Sequence, residues 1–184
     1  QSAQALVFGR RGLQPRVACA ADQQRVAQHP VVAGQLVAGD GILAQAGADV
    51  GIAYRSRHAE ADAVVGAIRA LGRRAFAYAA DLSLVEANDA FVQRGCDEFG
   101  GVDIFVGNSG VWPPVPVAVE TLGDLRWRST LALNLDGMFF AARAAARVLP
   151  AGGRMIFVSS TAGQRGEAGH ADYAATKGAM ISFV

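Results

Sequence analysis

From about residue 47 onward the chain alternates between two hydrophobic periods. Short apolar runs read as strands, and between them apolar residues recur three and four apart, the spacing of one helix face. Ala48–Tyr54 (ADVGIAY) predicts a buried strand, and 58–71 places Ala61, Val64, Val65, Ile68 and Leu71 on one stripe that Gly72 ends. A strand at Ala75–Ala79 comes next, then a helix over 84–99 with Val85, Phe91, Val92, Cys96 and Phe99 inward and Gly100-Gly101 as its stop. Residues 102–106 (VDIFV) predict another buried strand. A loop through Trp112-Pro113-Pro114 and Pro116 leads to one long helix over 122–149, closed by Pro150 and Gly152-Gly153. The last full strand is 154–159 (RMIFVS), followed by a Gly-rich loop and a helix that opens at Ala171 and is cut at Val184. Strands and helices in alternation predict an α/β fold, a doubly wound parallel sheet of the Rossmann type with helices on both faces.

The first 45 residues lack a sustained period of either kind, and eight of the ten glutamines lie there. No internal repeat or low-complexity tract accompanies the shift, so 1–184 reads as a single domain whose first strand-loop-helix unit, 1–45, is irregular. Composition narrows the function. A chain of 184 residues that is 52% apolar and 18% charged can bury a substantial core. A formal net charge of +1 with interleaved signs gives no footprint for nucleic acid or an acidic membrane surface, which favours a small-molecule partner. Cys19 and Cys96 have neither the number nor the spacing for a disulfide scaffold or a zinc site, so no metal is expected and a reducing compartment, the cytoplasm, is. No run approaches the length of a membrane span, the start lacks the layout of a signal peptide, and the absent initial Met suggests a trimmed or partial chain.

Ligands of a doubly wound sheet sit outside the carboxyl ends of its strands, where this sequence places Gly9, Arg55, Asp81, Asn108 and Ser160. The last helix begins with Tyr173 and Lys177, four apart and on one face. Lys177 is the only lysine beside sixteen arginines. Chance puts that lysine four after one of the three tyrosines roughly once in sixty. Tyrosine ionises near pH 10 when unperturbed, and a fixed ammonium favours its phenolate and brings it toward acid and base work near neutrality. The plainer reading is a chance pair on a surface helix. Asn134 reads equally as a helical residue pointing to water, and Ser159 and Ser160 as a strand end with turn chemistry. Asp81 has two readings as well, a residue of the helix N-cap region beside Ser83 and a cofactor contact.

From Ala48 onward, about three quarters of the chain resembles the short-chain dehydrogenase/reductases, and the NADP-preferring 3-oxoacyl-carrier-protein reductase-like members in particular. The resemblance is carried by ADLS at 80–83, DIFVGNSG at 103–110, LNLDGMFF at 133–140, FVSSTAG at 157–163 and YAATK at 173–177, with Ser160 thirteen residues before Tyr173. It implies a catalytic tetrad of Asn134, Ser160, Tyr173 and Lys177. Tyr173 would exchange the proton with a carbonyl or alcohol substrate while Ser160 holds that oxygen. Lys177 would lower the pKa of Tyr173 and bind the nicotinamide ribose, and Asn134 would anchor a water on a proton path. Asp81 would bond the adenine ring beside Leu82, and Asn108 would help form the cofactor wall. Gly107 and Ser109 depart from the family's NNAG. The long helix and the helix at Tyr173 would form a subunit interface, giving a dimer or tetramer.

Cofactor preference is set after the second strand, where an acid would bind the ribose diol of NAD and repel the phosphate of NADP. Tyr54-Arg55-Ser56-Arg57 has no acid, so Arg55 and Ser56 are expected to meet the extra phosphate, and NADP is favoured over NAD. The phosphate loop is assigned to Gly9 and Gly12, after a strand at 5–8. A second candidate, Gly34 through Gly39 and Gly41, is set aside because it leaves too few residues for the helix that must follow. The chain ends seven residues after Lys177, short of the family's remaining strand and its substrate-closing segment. Beside the oxidoreductase, a catalytically incompetent fragment or altered chain therefore stays open, acting only as a subunit-association or cofactor-binding module.

Overall fold

The computed structural model describes residues 6–11 and 38–184. Five strands form one sheet, β1 (Leu6–Arg11), β2 (Ala48–Tyr54), β3 (Ala75–Ala79), β4 (Ile104–Gly107) and β5 (Arg154–Phe157), in the order β3-β2-β1-β4-β5. The helices are α1 (Ala38–Gln45), α2 (His58–Ala70), α3 (Val85–Phe99), α4 (Asp124–Leu131), α5 (Gly137–Ala146), α6 (Thr161–Arg165) and α7 (Ala171–Phe183).

Strand β2 shows why the layers form. All seven of its residues are buried. Successive side chains point to opposite faces, so Val50, Ile52 and Tyr54 join Ala44, Ala61, Val64 and Ile68 in the layer of α1 and α2. Ala53 turns the other way and joins Phe76, Phe91, Phe99, Phe105, Ala141 and Ala145 in the layer of α3 and α5. Gly51 also faces that second layer, where a Cβ would come within 2.6 Å of the Phe76 ring. The expected doubly wound α/β fold is present, with helices on both faces.

One strand runs the other way. β2 pairs with β3, and β4 with β5, in parallel, whereas β1 is antiparallel to both of its neighbours. Leu6 therefore lies beside Gly107 at the carboxyl end of β4, and Arg11 beside Ala48 at the amino end of β2. Gly9 pairs with Val50 and Ile104 inside the sheet and is not a turn after a strand. This corrects its assignment to the phosphate loop. A period-two pattern is the same read in either direction, so the apolar run gave no sign of the reversal. Gly12 lies outside the described residues. The second glycine run overlaps α1, which takes Gly39 and Gly41 into its first turn.

The expected long helix is continuous from Asp124 to Ala146 but is interrupted by a π-turn at Ala132–Asp136. β5 is shorter than expected. Past it, the Gly-rich loop contains the short helix α6, whose N-cap is Ser160.

At the amino edge, Asp49 is buried and accepts hydrogen bonds from the Arg74 backbone N–H at 2.9 Å and from its guanidinium at 2.7 Å and 2.9 Å. The Arg73 guanidinium pairs with the same carboxylate at 2.9 Å. Burial alone would raise the Asp49 pKa, but the bonds from Arg74 and the charges of Arg73 and Arg74 outweigh it and hold the group below its ordinary 3.8. The folded state thus binds this proton less readily than the unfolded chain. The resulting stability is present above the unfolded value and is lost as pH falls through the lower folded one. Asp49→Asn should cost about 2 kcal/mol at neutral pH, with the difference closing in strong acid. Urea midpoints for both proteins across that range check this, and a cost independent of pH would contradict the assignment.

Candidate functional site

The loops leaving the carboxyl ends of β4 and β5 converge on the first two turns of α7. Lys177 is buried, at 5% exposure, and its Nζ donates to the Val158 carbonyl at 2.9 Å. The ammonium stands 5.9 Å from the centre of the Tyr173 ring. Burial pushes the Lys177 ammonium below its ordinary 10.5, and the carbonyl it meets supplies part of the lost hydration. Helices α6 and α7 approach closely at this residue. Gly163 of α6 lies against the Lys177 backbone, where a Cβ would come 2.6 Å from the carbonyl oxygen. Ser159 Oγ donates to that same carbonyl at 2.7 Å.

Asn134 sits in the π-turn and is buried. Its Oδ1 accepts from the Val111 N–H at 2.7 Å, and its Nδ2 donates to the Val111 carbonyl at 2.9 Å and to Thr176 Oγ1 at 3.3 Å. Asn134 thus fastens the loop after β4 to α7 and does not point to water. A Cβ on Gly110 would meet Asn134 Oδ1 at 3.4 Å and Lys177 Nζ at 3.6 Å, so Asn134 and Lys177 flank one narrow gap. Ser160 Oγ accepts from the Ala162 N–H at 3.2 Å, which leaves its own hydrogen to donate elsewhere. Asn134, Tyr173 and Lys177 are brought together, and Ser160 caps the helix that packs on Lys177.

The cofactor-side residues are arranged more loosely. Arg55 and Ser56 are exposed just beyond β2, beside a cleft of about 860 Å³ that extends to Trp112 and Arg126. Asp81 Oδ1 accepts from both the Ser83 N–H at 3.0 Å and its hydroxyl at 2.7 Å, while Oδ2 lies 3.8 Å from Arg55. Burial would raise the Asp81 pKa, but these bonds and the Arg55 charge hold it below 3.8. Leu82 is wholly buried and its carbonyl accepts from Asn88 Nδ2 at 2.9 Å, so its side chain is a core residue. Asn108 is half-buried directly after β4. Gly107, where the resemblance expects Asn, leaves room for the Met138 sulfur, which a Cβ would strike.

A family model described as short chain dehydrogenase matches residues 41–184. The chain belongs to the short-chain dehydrogenase family. Among its relatives, a hydroxynaphthalene reductase of Aspergillus fumigatus is 40% identical over 77% of this chain and 51% of its own length. A 3-oxoacyl-[acyl-carrier-protein] reductase of Synechocystis is 32% identical over 77% of this chain and 57% of its own. A short-chain dehydrogenase of Burkholderia cenocepacia, solved in complex with NADP, superposes with a TM-score of 0.73 at 39% identity, covering 77% of this chain and 58% of that one. The chain spans about half the length of the curated relatives it matches.

Beyond the residues that place this short-chain dehydrogenase chain in its family, the site contains one acid that the sequence did not single out, beside the aromatic wall of Trp112 and His170. Asp172, wholly buried beside Tyr173, pairs with Arg126 at 2.9 Å and accepts from Thr130 Oγ1 at 3.0 Å. His170 stacks on Trp112, ring centres 4.0 Å apart, and Trp112 meets Tyr173 edge-on at 4.7 Å. The ion pair spans 46 positions, beyond any local period, and the available signal was an acid directly before YAATK, in the first turn of α7.

Gly163→Ala should force α6 off α7 and destabilise the chain by about 1 to 3 kcal/mol, as overpacking does, with Lys177 gaining solvent exposure. A urea midpoint equal to the parent's, together with unchanged reactivity of Lys177 toward an amine reagent, would contradict the close approach.

Proposed function

We propose that this site transfers a hydride between NADP(H) and a carbonyl or alcohol substrate, with Tyr173 as general acid and base. The observation that carries the reading is the single lysine, buried and fixed by the Val158 carbonyl beside the Tyr173 ring. Two of its three ammonium hydrogens remain for other acceptors. The fold fits the cofactor: the end of β2 bears Arg55 and Ser56 and no acid, and α1 opens with Gly39 and Gly41, a helix N-terminus that backbone N–H groups make receptive to a pyrophosphate. The nicotinamide supplies the hydride when bound.

The protein's own groups do the rest. Tyr173 gives its phenolic proton to the substrate oxygen in reduction and takes it back in oxidation. The Lys177 ammonium stabilises negative charge on the phenolic oxygen and holds the ribose hydroxyls. Ser160 donates its hydroxyl hydrogen to the substrate oxygen, fixing it at Tyr173. The Asn134 side chain is occupied by Val111 and Thr176, so a water on the proton path would be held by main-chain oxygen in the widened π-turn. Arg55, loosely paired with Asp81, turns to the 2′-phosphate, and Asp81 orients it. Trp112 and the loop to His170 form the substrate wall. The complete protein would be a cytoplasmic dimer or tetramer joined through α5 and α7, where Phe139, Ile181 and Phe183 are exposed. Among the described residues, no helix is long and apolar enough to cross a membrane.

Titration with NADPH, followed by cofactor fluorescence, tests the reading first; a chain serving only subunit association would not bind. Arg55→Ala should weaken NADPH binding about tenfold to a hundredfold and leave NADH nearly unchanged, since one charge-assisted phosphate contact is lost. Equal losses for both cofactors would refute the phosphate assignment. Lys177→Arg in the complete protein should lower turnover at least about a hundredfold and displace the alkaline limb of the pH profile, because a planar guanidinium cannot reproduce a compact ammonium. Near-normal turnover with an unshifted profile would remove the catalytic role of the pair.

A further inference from the structure

The Arg126 guanidinium gathers three partner residues from three segments. Its Nε donates to Asp172 Oδ2 at 2.9 Å and its Nη2 to Asp172 Oδ1 at 3.4 Å, a forked contact with the carboxylate. Nη2 also reaches the Gly169 carbonyl at 3.4 Å, and Nη1 donates to the Val115 carbonyl at 2.6 Å. The loop after β4 and the loop before α7 are thus tied to one guanidinium, and they are tied to each other by the Val117 N–H on Gly169 at 2.8 Å. The anchored loops carry the aromatic wall. His170 lies with its ring nitrogens 3.1 Å from the Ala168 and Pro113 carbonyls, and Trp112 stacks on it while touching Tyr173.

A buried ion pair is weak evidence of stabilisation, because apolar residues of similar volume commonly serve as well. What an apolar pair cannot do is bind two carbonyls and a carboxylate at once. We propose that Arg126, acting through Asp172 and the Val115 and Gly169 carbonyls, is a positioning residue that sets Tyr173 and the Trp112–His170 wall in register with each other. The proposal rests on the reading of Tyr173 as the proton donor, since it names what that placement serves.

Two variants separate placement from mere support. In Arg126→Lys one ammonium cannot span all the acceptors, and in the double variant Arg126→Met/Asp172→Leu an apolar pair fills the space. Near-ultraviolet circular dichroism, with Trp112→Phe identifying the Trp112 band, reads the wall without any turnover. Both variants are expected to lose that band. The double variant should keep a melting temperature at or above the parent's, which shows that support is intact. In the complete protein kcat should fall about tenfold to a hundredfold and substrate KM should rise, the scale of a small misplacement, while the dissociation constant of NADPH stays within about threefold. A double variant with the parent's Trp112 band, kcat and KM would overturn the proposal, and so would an unaltered band in Arg126→Lys. Should Arg126→Lys not fold, Asp172→Asn, which keeps shape but weakens the fork, decides by the same band. If the parent turns over no substrate, the proton-donor reading fails by itself, and the band still decides whether Arg126 sets the wall.

Discussion

A buried ammonium has to be given acceptors, and the carboxyl end of this sheet is built around that requirement. Gly163 lets α6 touch the α7 backbone at Lys177, and β5 ends where the Val158 carbonyl accepts from the ammonium. Ser159 then secures the Lys177 carbonyl, and Ser160 starts α6. Three consecutive residues, 158–160, thereby serve the lysine, its backbone and the helix packed on it. A larger residue at Gly163 or a strand continued through Val158 would remove the pocket that makes the lysine chemically distinct from a surface cation.

The polar residues around this centre act mainly as fasteners. Asn134 spends its amide on Val111 and Thr176, Thr176 Oγ1 in turn donates to the Tyr173 carbonyl at 2.8 Å, and Asp172 is shared by Arg126 and Thr130. Burial would raise the Asp172 pKa, yet the bonds from Arg126, the Tyr173 backbone N–H and Thr130 keep it below 3.8. The helix α7 is therefore held at its first turn by an ion pair and at its second by hydrogen bonds. Tyr173 sits between the two fixed points.

Much of this was legible in the sequence where local chemistry decides the outcome. The limits of α2, α3 and α7 follow from apolar stripes ended by glycine or opened after a glycine-rich loop, and β2 and β3 fall within their predicted bounds. The pairing of Tyr173 with Lys177 is legible because a lone lysine in an arginine-rich chain is conspicuous at four residues from tyrosine, whereas Asn134 and Ser160 enter the tetrad only through the family resemblance. Other features depend on partners far away in the chain. The direction of β1 is set by its neighbours, since alternation alone carries no polarity. The π-turn needs one residue more than the helical period shows, and the pairing of Arg126 with Asp172 joins segments that no window contains. The side chain of Leu82, a residue expected beside the cofactor, lies in the core, because a side chain's direction within a loop is fixed by what packs against it.

The π-turn has an angular consequence. Arg126, Thr130, Asn134 and Met138 are spaced by four, and on a regular helix each such step advances about 40° beyond a full turn, so the set would drift by about 120°. A π-turn holds one extra residue and takes back roughly 100° of that rotation. The four side chains consequently stay in phase: Arg126 and Thr130 on Asp172, Asn134 on Thr176, and Met138 on Gly107. One surplus residue keeps a single helix aligned with α7 along its first half and with the sheet along its second.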